Sequence, residues 1–180
     1  AGEINQKQTI WQKDLLSQKG VSWAPGKGLV THFTFDVDAS NAVYKNKKQG
    51  EFKDGEAMFA KGRLGKSVVL DGHRFIDANS TTADTTNFGY FDDFTLSLWV
   101  WPESDGALLT RTKDETKETG WGIWLVDGKV QVNLVKRWLD DSLRMETTAK
   151  LEPGQWHHVA VTRDAGSTVR VYIDGALDGT

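Results

Sequence analysis

Apolar and polar residues follow one period in the first twenty positions and another after Leu29. Between Glu3 and Lys19, Ile4, Trp11 and Leu15 fall near one helical face, Gln and Lys fill the rest, and Gly20 is a natural stop. This predicts a helix over 3–19. The Pro/Gly-rich joint Trp23-Ala24-Pro25-Gly26-Lys27-Gly28 follows, so residues 1–28 read as a helix with its linker and 29–180 as the main domain. There the spacing alternates. Leu29–Asp36, Ser67–Leu70, Phe94–Trp101, Ala107–Arg111, Trp121–Val126, Val130–Val135, Trp156–Arg163 and Val169–Ile173 all read as strands. Six Asp-Gly pairs punctuate the chain, and WGIWLVDGKVQVNLV is its clearest hairpin. Many short strands with regular turns predict an all-β, two-sheet antiparallel sandwich or jelly roll.

Composition narrows the chemistry. With 22 Lys+Arg against 25 Asp+Glu the formal net charge is −3, so no basic excess is present to displace phosphate counterions, and nucleic acid is not an expected partner. The chain has no cysteine, which removes disulfides, Cys-ligated zinc, iron–sulfur clusters and thiol catalysis together. Its apolar stretches are too short to cross a bilayer as a helix. Eight Trp and eight Phe supply the large apolar surfaces of a packed domain. The chain begins at Ala1 and shows no signal peptide, so it reads as a mature or excised fragment.

The segments GLVTHFTFD, GRLGKSVVLDG, FDDFTLSLWVWPE, LLTRTK, WGIWLVDGKVQ and LEPGQWHHVAVTRDAGSTVRVYIDG, in that order, resemble the laminin G-like domain of the concanavalin A-like lectin/glucanase superfamily, bacterial type. The resemblance spans residues 28–179, and its most specific part is Trp-His-His-Val-Ala leading into a Tyr-x-Asp-Gly hairpin. It implies a concanavalin A-like jelly roll in an exported bacterial protein, extracellular, cell-surface or periplasmic. Such domains usually continue for two more strands beyond the Asp-Gly hairpin. The expectation is therefore either a domain truncated at its C-terminal strands, with edge groups left open to another chain, or one whose N-terminal segment takes over part of that role.

Several motifs have ordinary readings. Ala60–Ser67 (AKGRLGKS) nearly matches a phosphate-binding loop but leads into VVLDG, a strand and turn instead of the required helix. His157 and His158 are adjacent on a strand, so they point to opposite faces and cannot chelate one metal together. His157 shares the parity of Val159 and Val161 and should be buried. No Gly-x-Ser-x-Gly elbow supports a Ser-His-Asp triad. The glucanase signature Glu-x-Asp-x-x-Glu is absent, and Asp92-Asp93 and Asp140-Asp141 read as turn and loop residues, so the domain is read as non-catalytic. Lys45-Asn46-Lys47-Lys48 reads as a solvated loop, and Asn79-Ser80-Thr81 fits a glycosylation acceptor.

Strand parity separates a further group. Phe94, Leu96, Leu98 and Val100 form the apolar side of their strand, which turns Trp99 outward, and the same rule turns out Trp124, Gln131, Asn133, His158, Arg170 and Tyr172. Flat aromatics beside amides and Arg suit a sugar-binding groove: rings stack on the apolar faces of a sugar while polar groups take its hydroxyls. The alternative is that loops or helix 3–19 cover these Trp. Asp36 and Asp38, in Phe-Asp-Val-Asp, are the candidate ligands for a structural Ca²⁺ of the kind the resemblance implies. Three roles result: a carbohydrate- or protein-binding module, a structural docking domain contacting other domains of its parent chain, or a glycan-cleaving enzyme. The first is the expected one.

Overall fold

The computed structural model describes residues 25–43, 50–78, 88–112, 119–137, 141–164 and 166–180. The expected helix 3–19, the Lys45–Lys48 run, Asn79-Ser80-Thr81, Trp138 and Asp140 lie outside the described residues.

Twelve strands account for the regular structure: β1 (Glu51–Lys53), β2 (Phe59–Lys61), β3 (Lys66–Val68), β4 (Phe75–Asp77), β5 (Phe94–Val100), β6 (Gly106–Arg111), β7 (Gly120–Val126), β8 (Lys129–Arg137), β9 (Asp141–Lys150), β10 (His157–Arg163), β11 (Val169–Ile173) and β12 (Ala176–Gly179). Two four-stranded sheets carry the fold, in the orders β12-β11-β10-β5 and β6-β7-β8-β9. Two short ribbons, β1-β4 and β2-β3, accompany them, and every pairing is antiparallel. No helix occurs among the described residues.

Parity decides which side of each strand is buried. In β10, Val159 and Val161 are buried while His158, Ala160 and Thr162 are half-buried, and β11 repeats the pattern. From the other sheet Ile123, Val130, Val132 and Leu134 are buried and join Val159, Val161 and Val171 in one core. Two antiparallel sheets packed through alternating inward residues make a sandwich. Each such side chain contributes about 1.5–3 kcal/mol by leaving water. Phe88 closes the core, its ring 4.9 Å from that of Trp121 and 4.8 Å from that of Phe94. At the sheet margins the Asp178 carboxylate accepts the N–H groups of Thr148 (2.6 Å) and Ala149 (3.2 Å), stitching β12 to β9.

Two of the Asp-Gly pairs make the tight hairpins: Asp127-Gly128 (φ 51° and 76°) joins β7 to β8, and Asp174-Gly175 (φ 51° and 85°) joins β11 to β12. Left-handed backbone at both positions matches the twist of the flanking strands. AKGRLGKS is β2, a turn and β3, closed by Gly62 N–H donating to the Gly65 carbonyl at 2.9 Å, so it lacks the helix a phosphate loop requires.

The expected strand Leu29–Asp36 does not form. Phe35 sits at φ 58°, which breaks the extended run, and in place of a ladder the segment has an isolated bridge between Phe33 and Asn41 and a few hydrogen bonds such as Ala42 N–H to the His32 carbonyl at 2.7 Å. Asp141, expected in a loop, begins β9, whose inward Leu143 and Met145 pack on the core.

Candidate functional site on the outer sheet faces

The seven expected ligand residues all take the outward parity of their strands, but they do not share a groove. Trp124, Gln131 and Asn133 stand on β7 and β8, whereas Trp99, His158, Arg170 and Tyr172 stand on β5, β10 and β11. Because the two sheets bury their inner faces in one core, these groups occupy opposite outer faces. The single groove is corrected to two surfaces.

On the β6-β7-β8-β9 face, two neighbouring rungs carry the chemistry. One runs Ala107, Trp124, Gln131, Glu146; the next runs Thr110, Gly122, Asn133, Arg144. The indole of Trp124 lies over Gly122, so that a Cβ there would run into its Cη2, Cζ3 and Cζ2 atoms. Glycine supplies the flat seat: without a side chain, the backbone lets a ring lie against it. Beside the seat Asn133 is only 7% exposed despite its outward position. Gln131 Nε2 donates to Glu146 Oε2 at 2.8 Å, and Lys129 Nζ meets Glu146 Oε1 at 2.8 Å. Lys129 first, then Gln131, hold the Glu146 carboxyl below the usual carboxylate range, against a smaller opposing effect of burial. A general acid for glycoside cleavage needs the opposite shift.

On the β12-β11-β10-β5 face, Trp99 is 46% exposed and Trp101 43%. Trp99 pairs across the ladder with His158, their rings 5.1 Å apart and tilted by 54°. Ser97 Oγ and His158 Nε2 share a hydrogen bond of 2.8 Å, a partnership that Ser97's outward parity on β5 foreshadowed and the sequence reading left out. Arg170 is engaged by Asp164 at 2.6 Å, which lowers the aspartate and raises the guanidinium. Asp174 serves the hairpin: Oδ1 accepts the main-chain N–H of His158 and Oδ2 meets His157 Nδ1, both at 2.8 Å. The His158 N–H, more than His157, holds Asp174 below the usual range, while burial opposes it. A Ser-His-Asp relay does not assemble here, because Asp174 takes the backbone and not the ring of His158. His157 is buried as expected, its Nε2 3.0 Å from the Glu152 carbonyl.

Asp36 and Asp38 each accept a main-chain N–H: Asp36 Oδ1 that of Lys66 on β3 at 2.9 Å, and Asp38 Oδ1 that of Ser40 at 2.8 Å. Among the described residues no three His, Asp or Glu side chains gather as a metal site. Two carboxylates, each with an oxygen already in use, fall short of the six to eight oxygens that Ca²⁺ takes, so they do not by themselves fit the ion.

Residues 75–180 match the sequence profile of a laminin G-like family described as the concanavalin A-like lectin/glucanases superfamily. None of the curated proteins compared matches the chain. Among solved structures, the binding domain of Paraclostridial Mosquitocidal Protein 1 is similar in fold, with a TM-score of 0.60 and 22% identity over 78% of this chain and 37% of that one. The chain therefore spans little more than a third of that structure's length. The strands that build both outer faces fall within the matched region, and the chain belongs to the concanavalin A-like lectin/glucanases superfamily as a laminin G-like domain.

Proposed function

We propose that this domain is a non-catalytic carbohydrate-binding module that receives its ligand on the β6-β7-β8-β9 face. The observation that carries the reading is the Trp124 indole laid over Gly122, with an amide–carboxylate pair on its own rung and Asn133 on the next. Such a ring supplies a stacking surface for the apolar face of a pyranose, while Gln131 and the lone pairs left on the Glu146 carboxylate meet its hydroxyls and the buried Asn133 backs the seat. The fold and the similar binding domain support a binding role. A binding role also agrees with Glu146, whose two oxygens are occupied and whose proton affinity is lowered. By the family resemblance, the setting we propose is a larger exported protein.

A glycan array probed with the whole chain and with Trp124→Ala tests this. Binding that disappears in the folded variant is the expected result. Binding that survives the substitution, or no binding by the folded parent, would move the reading to docking against other protein.

A further inference from the structure

The opposite face differs in chemistry. We propose that the β12-β11-β10-β5 face holds a second, independent site, for a sugar residue bearing a carboxylate, with Trp99 as the stacking surface and Arg63 as the anion's partner.

Three observations carry this. First, two aromatic pairs stand at this end of β5 and β10: Trp99 beside His158 on the ladder, and, just past the strand ends, Trp101 edge-on to Trp156 with centroids 5.7 Å apart. Trp99 and Trp101 are two residues apart in the chain, and both are more than 40% exposed. Paired aromatics left open to water on a rigid sheet mark a contact surface.

Second, Trp99 is held in place. His158 lies against it, His158 is tied to Ser97 at 2.8 Å, and the β10 backbone beneath is fixed by Asp174 at 2.8 Å. A ligand meeting this ring has little side-chain freedom left to freeze.

Third, Arg63 projects from the β2–β3 turn to within 5.5 Å of the Trp99 ring centroid. That turn is fastened by the Gly62–Gly65 hydrogen bond at 2.9 Å and by Asp36, which accepts Lys66 N–H at 2.9 Å. Arg74, Arg163 and Arg170 each meet an aspartate. Arg63 forms no ion pair among the described residues, and its charge faces an aromatic surface instead. A guanidinium offers a planar fork that matches a carboxylate, and beside an indole it selects a ligand that is flat on one side and anionic at its edge. A uronic acid unit has that form. This site shares no residue with the Trp124 face and does not depend on it.

The test is titration of the whole chain carrying Trp124→Ala, which silences the other face, with a panel of uronate oligosaccharides and their carboxyl-reduced counterparts, alone and with Trp99→Ala or Arg63→Gln added. The acidic oligomers should bind about tenfold more tightly than the reduced ones, a difference worth about 1.4 kcal/mol that added salt erodes. Arg63→Gln should abolish that difference, and Trp99→Ala should abolish binding of both forms. Arg63 is an exposed turn residue, so its variant should melt with the parent. The proposal fails if no acidic oligomer binds, if Arg63→Gln keeps the full preference, or if folded Trp99→Ala binds normally. Loss of neutral-sugar binding in Trp124→Ala bears on the other face alone.

Discussion

Gly122→Ala isolates the contact on which the Trp124 platform rests. Gly122 lies in β7 without a left-handed φ, so its backbone suits alanine, and the three atoms nearest a Cβ there all belong to the indole. Forcing a methyl into that contact costs about 1–3 kcal/mol, as overpacking does. Replacing a strand glycine by alanine returns about 0.5–1 kcal/mol. The net loss should be roughly 1 kcal/mol, or about 2–4 °C in Tm for a chain of this size. In a Trp124→Ala background the obstacle is gone, and the same substitution should stabilise by about 0.5–1 kcal/mol. Denaturant melts of the four proteins give the coupling directly, and the change of sign is its signature. Should Gly122→Ala be neutral or stabilising in the parent, the ring does not lie where the reasoning needs it. Sugar binding in Gly122→Ala should fall with the displaced ring.

The remaining predictions concern stability. Leu134→Ala removes a side chain only 1% exposed from the middle of the core and should cost about 2–5 kcal/mol in a denaturant melt. Asp174→Asn should cost about 1 kcal/mol near neutral pH, because it weakens charge-assisted bonds at a partly exposed hairpin. Asp174 is depressed in the fold from an ordinary value of 3.8, so its stabilisation is present above that pH and is lost as pH falls below it. The gap between parent and variant should therefore close in acid; a gap that widens would contradict the assignment. Calcium followed by chelator should move Tm by no more than about 1 °C, since Asp36 and Asp38 are committed to main-chain N–H groups.

Local period was legible and long-range pairing was not. The outward turn of Trp99 against Leu98 and Val100, and the left-handed Asp127-Gly128 hairpin, follow from side-chain alternation and turn chemistry within a few residues. Whether β5 and β7 share a sheet depends on partners far along the chain, such as His158, which pairs with Trp99 from 59 residues away, so parity alone grouped residues that the sandwich separates. β9 escaped notice because Asp141, Arg144, Glu146 and Lys150 look like loop, although Leu143, Met145 and Thr147 alternate beneath them. The Gly122 seat was also hidden: a glycine in a strand shows no sign of the ring two residues on that will cover it.

The central claim is that sugar is taken up on the Trp124 face, and following the tryptophan indole N–H resonances during titration with an array-identified neutral glycan tests it most directly. The account predicts that Trp124 Nε1–H and the side-chain amides of Gln131 and Asn133 shift together and saturate at one affinity, while Trp99 and Trp101 stay in place. Saturable shifts confined to other residues, with Trp124 unmoved, would contradict it.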